Sequence, residues 1–399
     1  MFLKILKISG KVLGMLILIF LFAVVVTGVS PVYDYPEQKP FSGPDIFNPY
    51  ADLDSVPDWK RANFHTHTRV EGPLNECEYD AAYTDSVYRR LDYDIVTFSN
   101  HNELTKHPYD PSLQVNVYEH GYNLFKYHKL VFNSDGVDYF DNLLPVFTFQ
   151  KQYQLDRLSE GSDFIQLNHP FRTNFFSEPQ LRQLEGFRIM ELDSGVSTEN
   201  EYWDWSLSSG HYSFGLANDD LHYPDRSYRI GVRCNFLETP SARYSDLKEV
   251  LLSGCYYSMR VPDYGDGDWT VKLARQDSIP KIVTIGVNRA DSVYVSFTAP
   301  ADSIKFIGQD ATLLAIAADT TATSYKMQST DPYTRIIAYF PAGEVIYSNP
   351  FARYDASVAD SPYREPSHTV NIPLTILYNF ILLLLAAGVV FLAILLIRW

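Results

Sequence analysis

The chain has 399 residues, 46% hydrophobic and 15% aromatic, which is ample material for a folded core. Its 33 Lys and Arg stand against 48 Asp and Glu, giving a net charge of −15. That balance excludes a nucleic-acid partner, whose phosphates need a basic footprint, and argues against flat adsorption on anionic lipid.

Residues 12–29 carry no charge and follow Lys4, Lys7 and Lys11. A second apolar run, Leu374 to Ile397, is followed by Arg398. A bilayer core needs about 20 such residues in a helix, so both runs are long enough to cross one. The basic flanks place both ends in the cytoplasm and the bulk of the chain outside, facing the periplasm or exterior. For the first run a cleaved signal peptide is the alternative, although no Ala-x-Ala site follows.

Between the runs the chain divides by composition. Residues 30–57 hold Pro31, Pro36, Pro40, Pro44, Pro49 and Pro57 and are expected to form a stiff linker. From 58 to 262 apolar strands alternate with amphipathic helices. Tyr93–Phe98, Phe164–Leu167, Phe187–Met190 and Tyr212–Leu216 are predicted strands; Tyr79–Leu91, Gln152–Glu160, Glu178–Leu184 and Ala242–Ser253 are predicted helices. This alternation predicts an α/β fold with a parallel sheet, either a barrel or an open sheet, with functional residues at the strand C-termini. From 263 to 350 short segments follow, among them Trp269–Ala274, predicting about seven strands of a small β-sandwich. Residues 351–372 are a second linker, and 373–399 form the C-terminal transmembrane helix. Cys77, Cys234 and Cys255 form no metal-binding doublet, and a Cys234–Cys255 disulfide is the pairing left open.

The chemistry lies in nine potential metal ligands, most at a predicted strand end: His65, His67, Glu71, His101, Glu119, His128, His169, Asp220 and His222. His65 and His67 are two apart in an extended segment and so share a face. Asp220 and His222 repeat that spacing after the strand ending at Leu216. Imidazole with carboxylate suits Zn, Mn or Fe, and nine ligands are too many for one ion, so two or three divalent ions are expected. Arg172, just after His169-Pro170-Phe171, is the nearest guanidinium in sequence to clasp a phosphate. Glu191 and Asp193 are expected near the mouth, whereas His107, His120, His211 and His368 are given surface or structural roles.

The order of these motifs, strand–His-x-His, strand–Asn100-His101, Glu119 then His128, strand–His169-Pro170 and Asp220-x-His222, resembles the PHP (polymerase and histidinol phosphatase) superfamily over about residues 59–262. The segment Lys248–Tyr257 is similar to the final helix and Gly-x-x-Tyr ending of its small phosphoesterase branch. The resemblance implies a distorted seven-stranded β/α barrel, TIM-like, with a di- or trinuclear metal centre in its mouth. It makes His65, His67, His101, Glu119, His128, His169, Asp220 and His222 ligands, with Glu119 bridging two ions. Two departures stand out. Val70-Glu71-Gly72 replaces the family's Ser-Asp-Gly one residue early, so Glu71 or its substitute Glu76 would supply that ligand, and Asn100 stands where the family has Asp.

The implied activity is a membrane-anchored, extracytoplasmic metal-dependent phosphoesterase acting on a small-molecule phosphoester, with Asp220 or His222 moving the proton to the leaving oxygen. Hydrolysis of an amide, carbamate or lactone at the same centre, and a non-catalytic binding module on a retired barrel, are the alternatives.

Overall fold

The computed structural model describes residues 2–72, 75–173, 176–194, 197–198 and 201–398. A long apolar helix, α1 (Phe2–Thr27), leads into β1 (Tyr33–Asp34), β2 (Asp45–Phe47) and β3 (Trp59–Asn63). Then come α2 (Ala81–Arg90), β4 (Ile95–Val96), β5 (Val117–His120), β6 (Lys129–Phe132), α3 (Thr148–Ser159) and β7 (Phe164–Leu167). After α4 (Glu178–Gln183) the chain forms β8 (Ile189–Ser194), β9 (Ser197–Thr198), α5 (Glu201–Ser208), β10 (Phe214–Ala217) and β11 (Arg233–Glu238). The remainder is α6 (Tyr244–Ser253), β12 (Tyr256–Arg260), α7 (Trp269–Ala274), β13 (Ile282–Val287), β14 (Ser292–Ile307), β15 (Leu313–Lys326), β16 (Tyr333–Tyr339), β17 (Val345–Ser348), β18 (Phe351–Tyr354), β19 (Thr369–Val370) and α8 (Ile372–Arg398).

Local chemistry explains several boundaries. Asp80 caps α2 by accepting from the Tyr83 N–H at 2.9 Å. Gly254 ends α6 with φ +85°, and a Cβ there would lie 2.2 Å from the Phe214 ring, so only glycine fits. Trp269–Ala274 is a helix, not the expected strand, because Asp268 accepts from the Thr270 N–H and caps it.

The α/β part is a mixed sheet rather than a parallel one. One sheet runs β10-β8-β7-β6-β5, with β9 on β8. β7, β8 and β10 are parallel, but β6 is antiparallel to both β5 and β7. The cause is a short loop, 121–128, which joins β5 to β6 without a helix and so forces a hairpin. A parallel bridge between His101 and Glu119 then joins β5 to the extension of β4, which pairs with β3. On the other flank β10 meets β11 and β12 through side chains: Asn235 Oδ1 accepts from the Ala217 N–H at 2.9 Å and from Ser258 Oγ at 2.8 Å.

The C-terminal strands do not form a separate sandwich. β12 pairs with β17 and continues through β16, β14 and β13 in one sheet shared with β11, β3 and β4. The edge of β12 would otherwise expose unpaired backbone. A buried ion pair secures the same junction, with Arg335 Nε on β16 2.9 Å from Asp204 Oδ1 on α5. Cys77, Cys234 and Cys255 are all free and buried, and no disulfide forms. Met259 is the cross-strand partner of Cys234, which leaves Cys255 about 13 Å along the strand, beyond disulfide reach.

Helices α1 and α8 are each long and apolar enough to cross a membrane, and they form an antiparallel hairpin within one chain. A Cβ on Gly14 would lie 3.0 Å from Leu396 Cδ2, and Lys11 Nζ reaches the Ile397 carbonyl at 3.4 Å. The segments expected as linkers outside the folded units, 30–57 and 351–372, are instead packed against them. Phe41 and Tyr50 are buried, β2 pairs with β18, and β1 pairs with β19.

His368, just before β19, bridges Glu185 and Asp156 at 2.9 and 3.0 Å. Burial works against its charge, but the hydrogen bonds to Asp156 and Glu185 outweigh it and raise the ring to about 9. An unfolded histidine titrates near 6.5, so this clamp stabilises fully below that pH and is lost as pH rises through about 9. His368→Gln should therefore destabilise the fold at pH 6 by on the order of 1 kcal/mol after solvent screening, and lower the melting temperature accordingly. The deficit should vanish by pH 10, which thermal melts of both proteins across that range would show.

Candidate metal centre

The strand ends gather eight of the nine expected ligands into one buried cluster. His65 and His67 follow β3, His101 follows β4, Glu119 lies in β5, His169 follows β7, and Asp220 and His222 follow β10. His128 precedes β6 instead of following it. Because β6 runs antiparallel, its first residue lies at the end where its neighbours finish.

Glu119, 1% exposed, is the centre of this cluster. Its Oε1 lies 3.2 Å from His65 Nε2, 3.1 Å from His128 Nδ1 and 3.4 Å from His169 Nε2. Its Oε2 lies 3.2 Å from His67 Nε2 and 3.1 Å from His101 Nε2. Asp220 Oδ1 is 3.3 Å from His65 Nε2 and 3.4 Å from the Nε2 atoms of both His67 and His222. One carboxylate thus divides five imidazoles between its two oxygens, and a second carboxylate faces both groups.

Ligand chemistry and geometry fit divalent ions. His65 Nε2, His67 Nε2, His128 Nδ1, His169 Nε2 and Asp220 Oδ1 are buried and make no hydrogen bond despite these approaches. Ligand atoms about 2.0–2.2 Å from a shared ion stand about 3.0–3.5 Å from one another, the spacing seen here. Burial pushes His128 down to about 3 despite Glu119, so it presents the neutral lone pair a metal takes. The carboxylates in turn require positive charge. Burial opposes ionisation of Glu119 and Asp220, yet the surrounding imidazoles, His101 and His65 foremost, hold both well below the usual range.

The ninth expected ligand, Glu71, is exposed and outside the cluster. Glu76 lies in the cluster instead, with Oε2 3.1 Å from His101 Nε2 and 3.7 Å from His222 Nδ1. Within this loop Asn75 Oδ1 accepts from the Val70 N–H at 3.0 Å, a turn that carries Glu71 outward and returns Glu76. His65, His67, Glu119 and Asp220 form one potential ligand set, His67, Glu76 and His222 another, and His101, Glu119 and His128 a third.

A second layer orients the rings. Glu191 Oε1 takes His65 Nδ1 at 3.0 Å, which turns Nε2 toward the carboxylates, and its Oε2 accepts from the His169 N–H at 3.0 Å. Asn168 Nδ2 donates to Glu119 Oε1 at 2.9 Å while its Oδ1 accepts from the Leu130 N–H. Asn168 was not singled out in the sequence, where its place beside His169 was the only signal. Asn100 faces away from the ligands: it donates to Thr68 Oγ1 and Thr105 Oγ1 at 2.7 and 2.6 Å. Asp193 is buried against Arg233 Nε at 2.7 Å and Tyr347, so it holds the fold rather than the mouth. His107, His120, His211 and His368 lie outside the cluster; His120, for one, bonds the Phe140 carbonyl at 2.8 Å.

Backbone strain accompanies the site. His169 and Asp220 both have positive φ, +24° and +47°, which costs about 1–3 kcal/mol each and is sustained by the surrounding contacts. The cluster opens into a cleft of 630 Å³ lined by Glu76, Arg172, Asp220, His222, Tyr223 and Arg229, among others. Arg172 Nη1 lies 2.9 Å from Asp220 Oδ2.

Glu76→Gln should weaken metal binding roughly 10- to 100-fold, and Glu71→Gln should leave it unchanged, as read by titrating the metal-stripped protein. Gly121→Ala should loosen the centre as well. Gly121 has φ +124°, and its added Cβ would lie 3.0 Å from the His128 ring. A metal content near wild type in that variant, with unchanged melting temperature, would show that the ring can yield.

No family model and no curated protein matches the chain. Among solved structures, a two-domain protein from Bacteroides vulgatus containing a predicted PHP-like metal-dependent phosphoesterase is similar. The similarity covers 79% of this chain and 100% of that one, at 15% sequence identity and a TM-score of 0.39.

Proposed function

We propose that the chain is a membrane-anchored metal-dependent hydrolase, most simply a phosphoesterase. The observation that carries this reading is the division of five buried imidazoles between the two oxygens of Glu119. Residues 58–262 form its catalytic unit, a distorted barrel closed by the His101–Glu119 bridge, and 263–350 extend the barrel's sheet. Zn, Mn or Fe, two or three per chain, suit this ligand set. When bound, such ions lower the pKa of water and polarise a phosphoryl oxygen.

The protein's own groups supply the rest. Arg172 and Arg229 line the cleft and match the non-bridging oxygens of a phosphoester. His65, locked by Glu191, and Glu119, locked by Asn168, hold the ligand frame still, so little reorganisation accompanies the reaction. Water oxygen forms the new bond to phosphorus, and the ester oxygen leaves with a proton. His222, with an 18% exposed side chain at the rim, takes up the proton the attacking water gives off and passes it to the leaving oxygen. Asp220 is less suited, because Arg172 occupies its Oδ2.

That same Arg172–Asp220 pair favours a second reading, hydrolysis of an amide, carbamate or lactone, because a guanidinium held by a carboxylate is less available to phosphate. Lys11 and Arg398 lie at the same end of the helical hairpin, so that end is cytoplasmic and the cleft is outside.

Elemental analysis of the purified full chain should find two to three equivalents of metal. Turnover of a phosphoester panel, set against amide and lactone panels, assigns the bond. His65→Ala with His67→Ala should abolish metal loading and turnover together, and full activity in that variant would overturn the assignment.

A further inference from the structure

Five residues, Gly121, Tyr122, Asn123, Asp141 and Asn142, link the metal ligands to the base of the membrane anchor. Gly121 lies against the His128 ring. The next two backbone amides, Tyr122 and Asn123, donate to Asp141 Oδ2 at 2.8 and 2.9 Å. Beyond Asp141, Asn142 Nδ2 donates to the Thr27 carbonyl, and the Leu143 N–H donates to Thr27 Oγ1 at 3.1 Å. Thr27 is the last residue of α1. A path of so few bonds and contacts covers at most about 25 Å.

The level of the bilayer can be read from the hairpin. Tyr378 Oη donates to the Gly28 carbonyl at 3.0 Å, and Asn379 Nδ2 donates to the Ser30 carbonyl at 2.9 Å. Below this polar girdle α8 runs apolar from Phe380 to Ile397, about 27 Å, close to the thickness of a hydrocarbon core. The girdle therefore marks the edge of the hydrocarbon. Phe147 and Phe149 stack on each other at 5.0 Å and pack on Tyr378 at that level.

Around it the ectodomain exposes apolar side chains: Tyr122 (43%), Leu124 (56%), Tyr139 (67%), Val146 (47%) and Phe147 (50%). The patch is continuous with the anchor, since the Leu124 N–H donates to the Leu143 carbonyl. It also reaches the cleft, since Thr173 Oγ1, next to Arg172, donates to the Phe125 carbonyl at 2.7 Å. Its acids are already occupied, Asp138 by Arg157 at 2.8 Å and Asp141 by backbone amides, and Lys126 is exposed beside them. The overall net charge of −15 therefore does not govern this face.

We propose that loop 121–126 and segment 143–147 rest in the head-group layer of the membrane that α1 and α8 cross, and that the cleft receives a phosphoester borne by a bilayer lipid. The first half stands on the geometry alone; the second rests on the hydrolase reading.

The test uses the full chain in phosphatidylcholine vesicles carrying phosphatidic acid. Spin labels go at Leu124→Cys and Phe147→Cys, with Ile316→Cys, 56% exposed on β15, as the aqueous control. The native cysteines are buried. Labels at 124 and 147 should be several-fold more accessible to oxygen, relative to a water-soluble nickel complex, than the label at 316. Equal accessibility at all three positions would overturn the surface. Leu124→Ser combined with Phe147→Ser should then cut turnover of phosphatidic acid in vesicles roughly tenfold and leave a dissolved aryl phosphate unaffected. Equal turnover of the lipid by variant and wild type would overturn the substrate class. If wild type cleaves neither ester while the labels report depth, the hydrolase reading fails and the membrane surface stands.

Discussion

Glu119 is buried where five imidazoles converge, and a carboxylate removed from water must be met by positive charge and by hydrogen bonds. Much of the architecture around it serves that requirement. The hairpin that reverses β6 brings His128 to the same end as the ligands that follow β4 and β7. The bridge between His101 and Glu119 joins two sheet edges through two residues of the cluster, so the same backbone contact links the strands and sets two side chains of the site. Asn168 and Glu191, themselves fully buried, fix the donors that would otherwise turn. Removing Glu119 would leave the rings and Asp220 without their common partner, which is why ligand geometry and fold are hard to separate here.

What the sequence revealed depended on how local the cause was. The candidate ligands at strand ends were legible because an apolar strand followed by His or Asp is a short pattern, and the structure brings eight of the nine candidates together. Glu71 and Glu76 could not be told apart, because the choice depends on a turn closed by Asn75 rather than on spacing. Trp269–Ala274 looked like a strand by composition, and one capping carboxylate, Asp268, makes it a helix. The reversal of β6 was signalled only by the absence of a helix between Glu119 and His128.

The long-range features were the least legible. Seven short apolar segments suggested a sandwich, but the edge of β12 recruits β17, and the segments add to the existing sheet. Two of them fuse into the long β14, and two more into β15, as one hairpin. The Pro-rich segment 30–57 carried no sign that Phe41 and Tyr50 would be buried, because the partners lie some 200 to 300 residues away. Likewise the two apolar helices were evident separately, whereas their pairing rests on contacts such as Gly14 with Leu396, for which no repeat of small residues gave notice.

On the proposed reading, in which α1 and α8 cross a membrane, a firmly held anchor changes what the acidic domain can do. Free anionic substrates would meet a net charge of −15 before meeting the cleft, and although screening limits that repulsion to about 8 Å at physiological salt, it gives no steering. A substrate borne by the membrane, as proposed, would restrict the search to a plane and compensate for the missing attraction, provided the cleft keeps a fixed height above that plane. Its height is set by rigid parts: Gln150 on α3 donates to the Gly28 carbonyl at 3.3 Å and to Tyr378 Oη at 3.1 Å, and His368 ties the second approach to α3 and Glu185. A flexible stalk would let the cleft sample all heights and lose that advantage. On that reading the packed linkers and the hydrogen-bonded girdle serve the same end as the candidate ligands, because they fix where the cluster stands relative to the two helices.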